Sequence, residues 1–587
     1  MAEQTQSDKE FKDIDFRLLK RLIKFLKPYK KFVVYALLLA IFGSALGPLR
    51  PYLTKIAIDN YIASSDWNGL LWIIILIFGL LIIHSAAQFF LSYIMQFSGQ
   101  NVLNDIRIKL HKHILALSNR FHDTNPVGRL VTRVTNDIEA LNELFSSGVV
   151  MIIADFLLIM WIIGFMLFTN VTLALLTLAV MPVLIMASIA FRSKVRETFR
   201  AIRGDVAKMN SFLNEFISGI VTVKIFAQEK YQNEKFDGIN TSIRDLWNRT
   251  IFYYALFFPI VEFLSTLTLG IILWYAAKNI LSTEITVGVI IAFTQYAEMF
   301  FRPIRDLTEK YTTLQSSMAS AERIFGLLDT NEFLEDLPEA RSIDEFKESI
   351  EFKNVCFSYD GDKQVLKNIS FKINKGETVA IVGATGSGKT SIVNLLCRFY
   401  DYQTGEILID GKDIRTIKQE SLRSRIALVM QEVFLFSGSI GFNITLGEES
   451  ITKEETRLAA LALGAAEFIE KLPDAYDSVI EPRGTNLSSG QRQLISFCRA
   501  FASNPEILIL DEATSNIDSE TEKLIEISLG KLLGERTSLV IAHRLSTIKR
   551  ADKILVLHHG ELRETGTHEE LLNNDGLYAK LYRLQFN

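Results

Sequence analysis

The residues best suited to chemistry lie in one glycine-rich segment, residues 383–390, with the sequence GATGSGKT. This segment matches the pattern G-x-x-x-x-G-K-[ST], in which backbone N–H groups close around phosphate oxygens. Lys389 can reach the β- and γ-phosphates of a nucleotide, and the Thr390 hydroxyl can hold Mg²⁺. Because the motif needs a strand before it and a helix after it, we predict a strand at residues 377–382 and a helix at residues 391–399.

Two apolar strands further along the chain end in residues that can act on a bound nucleotide. The run 506–510 (EILIL) leads into Asp511 and Glu512. An Asp at this place can bind Mg²⁺ through water, and the neighbouring Glu can polarise the attacking water. The strand at residues 538–542 ends at His543, whose side chain can contact a γ-phosphate. Each pattern is common alone, and the phosphate-binding segment upstream makes the combination specific.

Two more sites complete the candidate nucleotide pocket. Residues 487–491 (LSSGQ) come just before a helix predicted to begin near Arg492. Backbone amides and Ser488 at a helix N-terminus form an anion site. Tyr359, upstream of the phosphate-binding segment, can stack on an adenine ring, although a lone tyrosine is more often a core residue.

The composition limits the class of protein. A chain of 587 residues suggests several domains, and its hydrophobic fraction of 49% is high. The net charge of −4 gives no electrostatic reason to expect nucleic-acid binding. The three cysteines form no C-x-x-C pair, so neither a disulfide framework nor a zinc site is indicated, which fits a reducing compartment.

The first half of the chain contains six apolar stretches, each close to the ~20 residues that cross a bilayer. These stretches are residues 32–60, 69–95, 147–168, 170–191, 251–278 and 286–306. The short connection at residues 61–68 has no Lys or Arg, whereas residues 96–146 and 192–250 are rich in both. The positive-inside rule therefore places both termini and these long segments in the cytoplasm.

The two long basic segments have helical periodicity without enough hydrophobicity to stay in lipid, so we expect helices that extend well beyond the bilayer. Residues 121–137 and 215–229 hold Gly or Pro breaks and can form short transverse helices at the tips. An ordinary helix–turn–helix is the alternative.

Ionisable residues inside apolar spans are costly and therefore informative. Asp155, Glu262 and Glu298 are such residues, with His84 and Gln295 as polar neighbours. One interpretation is a cavity that accepts cationic or amphipathic solutes. The alternative is pairing between helices, or carboxylates that face water without a ligand.

The predicted fold class is a six-span helical transmembrane domain with long cytoplasmic extensions, followed by an α/β P-loop ATPase domain. Short apolar runs alternate with helical segments after residue 350, as in α/β proteins. The predicted domains are residues 1–31 as a cytoplasmic N-terminus with an interfacial helix, 32–328 as the membrane domain, 329–349 as an acidic linker and 350–587 as the nucleotide-binding domain.

Together these features resemble an ATP-binding cassette (ABC) transporter of the exporter type, with the motifs in the family's order from about residue 16 to 585. The matches are Tyr359 with the A-loop, residues 383–390 with Walker A, Gln431 with the Q-loop, Glu481 with the X-loop, residues 487–491 with the signature motif, residues 510–512 with Walker B, residues 515–518 with the D-loop and His543 with the H-loop.

The resemblance implies ATP and Mg²⁺ as cofactors. The implied catalytic residues are Glu512, His543 and Gln431, and the implied Mg²⁺ ligands are Thr390, Gln431 and Asp511. The implied ATP-binding residues are Tyr359, Gly383, Ala384, Thr385, Gly386, Ser387, Gly388, Lys389, Thr390, Ser391, Ser488, Ser489, Gly490 and Gln491.

Two motifs depart from the family's usual spelling. The signature reads LSSGQ where LSGGQ is common, and the D-loop reads SNID where SALD is common. Ser489 keeps its backbone N–H, so phosphate contact should survive. Both variants resemble one chain of heterodimeric bacterial exporters, in which one of two ATP sites is degenerate, but this chain keeps Glu512 and His543.

The resemblance implies a half-transporter in the cytoplasmic (inner) cell membrane that pairs with a second half-transporter, either identical or a sister chain. ATP would lie between Walker A of one subunit and the signature motif of the other. Export of drug-like amphipathic molecules is the favoured function, and a lipid or lipid-linked floppase is the alternative. An ATP-gated channel or regulatory subunit is disfavoured, since such proteins can lose the catalytic glutamate.

Overall fold

The computed structural model describes residues 16–279, 285–361, 363–511, 519–534, 536–542 and 544–586. These residues divide into two compact units. Within these described ranges, the first unit comprises residues 16–115 and 127–330, and the second comprises residues 116–126 and 331–586. Each unit is described separately below.

The first half of the chain is helical. Its helices are α1 (Phe16–Phe25), α2 (Lys30–Ile56), α3 (Trp67–Ala116), α4 (Asn119–Thr124), α5 (Val127–Thr132), α6 (Ile138–Glu143), α7 (Val149–Thr169), α8 (Val171–Leu178), α9 (Met181–Ser218), α10 (Ile220–Ile225), α11 (Glu229–Asn279) and α12 (Val287–Leu328). A 3₁₀ turn lies at Lys27–Tyr29, and π-helical turns lie at Ala57–Ile62, Arg133–Asp137 and Leu144–Gly148.

Five helical segments are long and apolar enough to cross a membrane within the described residues. They are Lys27–Ile62, Trp67–Ala116, Val127–Thr169, Val171–Ser218 and Glu229–Lys278. A sixth apolar segment, Val287–Phe300, is shorter. The predicted count of six spans is therefore not confirmed. The apolar part of α12 is short because its sequence becomes rich in charged residues soon after Phe300.

The expected long helices are present. Helices α3, α9 and α11 contain 50, 38 and 51 residues; α3 and α9 run without interruption from apolar into charged sequence, and α11 runs from charged into apolar sequence. The Gly and Pro breaks at the predicted tips produce short helices, among them α4 and α10. The chain therefore carries helices much longer than the ~20 residues that a bilayer needs.

Helix α2 continues through Pro48 and Pro51. Because proline has no N–H, the carbonyls of Ser44 and Gly47, four residues earlier, lack their usual helical donor. Neighbouring helices can compensate for such breaks. Tyr296 of α12 also bonds to this part of α2, since its buried hydroxyl donates to the Pro48 carbonyl at 3.0 Å.

The start of α12 is fixed by a carboxylate from the π-helical turn at Ala57–Ile62, which follows α2. Asp59 accepts a hydrogen bond from the Gly288 N–H at 2.9 Å and another from the Thr286 hydroxyl. A negative charge at a helix N-terminus is favourable. A Cβ at Gly288 would lie 2.6 Å from the Lys55 carbonyl oxygen and the Asp59 carboxylate, so this close contact requires glycine.

The second unit contains an α/β core, as predicted. Its strands are β1 (Ser349–Phe357), β2 (Leu366–Asn374), β3 (Thr378–Gly383), β4 (Thr404–Ile409), β5 (Lys412–Asp413), β6 (Ile426–Val429), β7 (Gly438–Ser439), β8 (Val479–Ile480), β9 (Ile507–Asp511), β10 (Thr537–Ile541), β11 (Lys553–His558) and β12 (Glu561–Gly566). Besides α4, its helices are α13 (Lys389–Leu396), α14 (Gln419–Arg423), α15 (Ile440–Thr445), α16 (Lys453–Ala462), α17 (Ala466–Ile469), α18 (Ser489–Ala502), α19 (Ser519–Leu533), α20 (Leu545–Arg550), α21 (His568–Asn573) and α22 (Leu577–Phe586). Short 3₁₀ turns lie at Ile414–Thr416, Ala475–Asp477 and Pro482–Gly484.

The main sheet positions the candidate site. Its strand order is β12-β11-β3-β10-β9-β6, and only the β11–β12 pair is antiparallel. Alternate residues of β3 enter two different hydrophobic cores, so the sheet is covered on both faces. Because parallel strands end at the same edge, the segments that follow β3, β6, β9 and β10 emerge together, which is where α/β proteins bind ligands.

Candidate nucleotide site

The phosphate-binding segment has the predicted strand–loop–helix geometry, between β3 and α13. The helix begins at Lys389, two residues before the predicted start, because Gly388 adopts a left-handed conformation with φ of 102° and caps it. A Cβ at Gly388 would lie 2.6 Å from Leu366 Cδ2, and one at Gly383 would lie 2.3 Å from the Leu557 carbonyl oxygen. Backbone conformation and close packing therefore both require glycine in this loop.

Lys389 turns back onto its own loop. Its side chain is buried, and Nζ donates to the carbonyl oxygens of Gly383 at 2.8 Å and Ala384 at 3.2 Å. Burial lowers the pKa of Lys389, and the charge of Asp511 opposes this shift. The ammonium group thus lies inside the loop, where a phosphate oxygen can replace the two carbonyl oxygens as the acceptor of its hydrogen bonds.

The hydroxyl of Ser387, one of the predicted ATP-binding residues, lies in the same loop. Ser387 is buried, and its Oγ has no hydrogen-bond partner among the described residues. An unpaired buried hydroxyl costs about 1–3 kcal/mol. We therefore expect a bound phosphate group to accept a hydrogen bond from this hydroxyl.

We expect Ser387→Ala to have opposite effects on stability and on nucleotide affinity. Without nucleotide, the variant should be about 1 kcal/mol more stable, because the unpaired hydroxyl is gone. Its KM for ATP should rise about 10-fold, because a hydrogen bond to a charged group is lost. Thermal unfolding of the detergent-solubilised protein and an ATPase titration measure the two effects.

Ser528→Ala provides the matched control. The Ser528 hydroxyl is also buried, but it donates to the carbonyl oxygens of Leu463 at 2.7 Å and Leu524 at 2.6 Å. Its removal should therefore lower stability by about 1 kcal/mol and leave the KM for ATP unchanged. Destabilisation of equal size in both variants would contradict the role given to Ser387.

Tyr359 is held in place from two sides. Its hydroxyl lies 3.0 Å from Ser391 Oγ and accepts from Asn394 Nδ2 at 3.1 Å. Its ring packs edge-to-face against Tyr400, with centroids 4.9 Å apart, and against Phe357 at 4.7 Å. The half-buried ring borders a cavity of about 260 Å³ in the second unit. Tyr359 and Ser391, both predicted ATP-binding residues, thus contact each other.

The same cavity is bordered by Ser118 and Arg120, which belong to a segment distant in sequence from Tyr359. Residues 116–126 belong to the second unit, where Leu117 forms a β-bridge with Phe333. The Ser118 N–H donates to the Glu332 carbonyl at 2.8 Å, and Tyr400 donates its hydroxyl to Asp123 of α4. Tyr400, whose ring packs against Tyr359, is therefore hydrogen-bonded directly to α4.

The predicted Mg²⁺ ligands occupy the edge where the parallel strands end. Asp511 is the half-buried last residue of β9, Thr390 is exposed in the first turn of α13, and Gln431 is exposed two residues after β6. Carboxylate, hydroxyl and amide oxygens suit a hard cation such as Mg²⁺. Glu512, His543 and the D-loop at residues 515–518 lie outside the described residues.

The LSSGQ segment forms the N-terminus of α18. Ser488 Oγ accepts from the Gln491 N–H at 3.2 Å, and Gln491 Oε1 accepts from the Ser488 N–H at 3.0 Å. This capping box starts the helix at Ser489, so the prediction of a start near Arg492 was three residues late. Gly490 is buried and Ser489 is exposed in the first turn. Nearby, Glu481 accepts a hydrogen bond from the Thr485 hydroxyl at 2.9 Å.

Comparisons with known proteins find similarity over both halves of the chain. A family model described as "ABC transporter transmembrane region" matches residues 33–304, and one described as "ABC transporter" matches residues 366–515. The chain is similar over 96% of its length to all of a solved chain, from "Structure of a bacterial Atm1-family ABC exporter with ATP bound", with a TM-score of 0.77 and 27% identity.

Three relatives match nearly end to end. YknV of Bacillus subtilis, an uncharacterized ABC transporter ATP-binding protein, is 40% identical over 97% of this chain and 94% of its own. YgaD of Bacillus subtilis, whose name assigns it provisionally to multidrug export, is 37% identical over 97% and 99%. An ATP-dependent lipid A-core flippase of Syntrophus aciditrophicus is 36% identical over 97% and 94%.

Proposed function

This chain belongs to the ABC transporters and is a membrane-bound exporter with ATPase activity, and we propose that it exports drug-like amphipathic small molecules across the cytoplasmic membrane. One observation carries the proposal: the same chain contains a phosphate-binding loop with the buried side chain of Lys389 and several long apolar helices. The match to a relative named for multidrug export supports the choice of cargo.

The half-transporter architecture, with one membrane domain and one ATPase domain, suggests dimerisation. We infer that ATP binds between the phosphate loop of one subunit and the LSSGQ segment of another, because one chain carries one copy of each. The partner is a second copy or a sister half-transporter. The LSSGQ and SNID spellings favour a sister chain, since they resemble one subunit of heterodimeric exporters.

The proposed site divides its tasks among the predicted residues. In one subunit, Lys389 holds the β- and γ-phosphates and Tyr359 stacks on adenine. Ser488 and the first turn of α18, contributed by the other subunit, bind the γ-phosphate from the opposite side. Glu512 polarises the attacking water and His543 contacts the γ-phosphate, while Gln431 senses the bound nucleotide. Thr390, Gln431 and Asp511 would hold Mg²⁺, which supplies charge stabilisation to the phosphates when bound.

We propose six spans, with residues 286–306 of α12 as the sixth, and the domain limits 1–31, 32–328, 329–349 and 350–587. The basic segments 96–146 and 192–250 support a cytoplasmic location of both termini and of the ATPase domain.

ATP binding would clamp two ATPase domains together, the short helices α4 and α10 would transmit that motion, and hydrolysis would reset the transporter.

A lipid or lipid-linked floppase is the second candidate function. The lipid A-core flippase of Syntrophus aciditrophicus matches nearly the whole chain, so the same ATPase can drive either kind of cargo. The two functions differ in the solute that enters the membrane domain, and transport measurements separate them.

Reconstitution in vesicles tests the proposal. We expect the purified chain, alone or with a sister half-transporter, to concentrate a labelled amphipathic dye in an ATP-dependent way. A Lys389→Ala variant should transport nothing, since ATP would lose its main phosphate contact. Movement of a labelled lipid without dye transport would favour the floppase, and ATP hydrolysis with neither movement would contradict both functions.

A further inference from the structure

The segment before the first long apolar helix carries a concentrated positive charge. Residues 16–31, called the basic segment below, contain five lysines and two arginines but no Asp or Glu. They include α1, the 3₁₀ turn at Lys27–Tyr29 and the first two residues of α2. Clusters of about four to eight basic residues beside a membrane helix attract anionic lipid headgroups. The basic segment is therefore a candidate lipid-binding surface.

Other residues of the basic segment fix it to the first unit. The Arg21 guanidinium donates two hydrogen bonds to the Asp329 carboxylate, at 2.6 and 2.7 Å, and lies 4.1 Å from the centre of the Phe325 ring. The Tyr29 hydroxyl donates to Asp105 at 2.9 Å. These contacts hold the segment against α12 and α3, and they use the charge of Arg21 inside the unit.

The lysines of the basic segment are all exposed. Among the residues that the structure describes, their side chains form no ion pair or hydrogen bond. Two of them are four residues apart on one face of α1, and three lie in the 3₁₀ turn and at the start of α2, directly before the apolar sequence. They are Lys20, Lys24, Lys27, Lys30 and Lys31. Anionic headgroups at a membrane surface would neutralise these charges.

A stripe of exposed aromatic rings begins beside these lysines. Phe32 follows Lys31 and packs edge-to-face on Phe97 of α3, with centroids 5.6 Å apart. Phe97 stacks on Tyr93, and Tyr93 stacks on Phe89, both with centroids 6.3 Å apart. The four rings are between 39% and 64% exposed. On α3 they extend over about 12 Å, because a helix rises about 1.5 Å per residue.

We propose that the basic segment and this aromatic stripe together bind an anionic phospholipid. The headgroup phosphate lies at the lysines, and an acyl chain lies along the rings of Phe32, Phe97, Tyr93 and Phe89. A zwitterionic lipid lacks the net charge that the lysines complement, and free phosphate lacks the apolar chain that the rings complement. The lipid is a bound component of the membrane domain, so the inference does not depend on which solute is exported.

Binding of two fluorescent phospholipids to the full-length protein in uncharged detergent tests this inference. The two lipids have identical acyl chains, and one is phosphatidylglycerol and the other phosphatidylcholine. The anionic phosphatidylglycerol should bind about 10-fold or more tightly than phosphatidylcholine. Salt at about 1 M should remove most of this preference, because it screens exposed charges. Inorganic phosphate at the concentration of the lipid should not displace it.

The lysines and the rings should have separable effects. Lys27→Gln, Lys30→Gln and Lys31→Gln in one variant should weaken phosphatidylglycerol binding about 10- to 100-fold and leave phosphatidylcholine binding nearly unchanged. Arginine at the same three positions keeps the charge and should retain the affinity. Tyr93→Ala should weaken binding of both lipids alike, about 5-fold, because the ring contacts the chain and not the headgroup.

Lys412→Gln, Lys418→Gln and Lys580→Gln in one variant are the matched control, since they remove the same charge from exposed positions of the second unit. This variant should bind both lipids as the unchanged protein does. Equal affinity of the unchanged protein for the two lipids would overturn the inference, and this measurement does not depend on any variant folding. Equal losses in the two triple glutamine variants, or displacement of the lipid by inorganic phosphate, would overturn it as well.

Discussion

Glu512→Gln is expected to lower kcat for ATP hydrolysis about 100- to 10,000-fold, the usual contribution of a general base, while ATP affinity stays close to that of the unchanged protein. Glutamine keeps the size of the side chain but cannot polarise water as a carboxylate does. The phosphate contacts come from the loop around Lys389, so binding does not depend on this carboxylate.

Phosphate release and binding of a fluorescent ATP analogue measure the two quantities separately. Lys389→Met is the companion variant, and it should lose ATP binding as well as hydrolysis because the loop loses its buried ammonium group. Hydrolysis by Glu512→Gln at a rate near that of the unchanged protein would show that another group activates the water. Loss of binding in Glu512→Gln would indicate a structural role instead.

Arg398→Met is expected to lower the stability of the second unit by about 3 kcal/mol. Arg398 is 1% exposed, and its Nη1 donates to Asp336 at 2.8 Å and to the Ile417 carbonyl at 2.9 Å. Methionine fills similar space but leaves these acceptors without their donor. The loss should lie at the lower end for a broken buried pair, because the Asp336 side chain remains 34% exposed to water.

Thermal unfolding in detergent, followed by the fluorescence of the protein, should show the second unit's transition lowered by about 6–12 °C. Arg457→Met is the control, since Arg457 pairs with Glu470 at 3.5 Å on the surface, where both side chains are about half exposed. Exposed pairs contribute less than about 1 kcal/mol, so that variant should unfold almost as the unchanged protein does. Similar shifts for both would refute the anchoring role of Arg398.

Local patterns in the sequence were enough to predict the phosphate-binding segment and its flanking elements. The strand before Gly383 and the helix after it follow from apolar runs and glycines that are adjacent in the chain. The errors at helix starts have local causes as well. The left-handed Gly388 and the Ser488–Gln491 capping box each begin a helix two or three residues before its apolar pattern becomes clear.

Features that join distant residues could not be predicted in this way. Residues 329–349 read as a polar linker, yet Asp336 within them is the partner of buried Arg398. Asp155, Glu262 and Glu298 are equivalent by hydropathy alone, and only the packing of the helices places Asp155 in a cavity. Pairing across tens or hundreds of residues depends on the folded arrangement, which a single sequence does not encode in any local pattern.

The inclusion of residues 116–126 in the second unit has a consequence for the order in which the chain folds. Asp123 precedes its hydrogen-bond partner Tyr400 by 277 positions. At a synthesis rate of about 5–20 residues per second, α4 therefore emerges from the ribosome about 14–55 s before that partner exists. The hydrogen bond between α4 and Tyr400 can thus form only late during biosynthesis, after the apolar helices have been made.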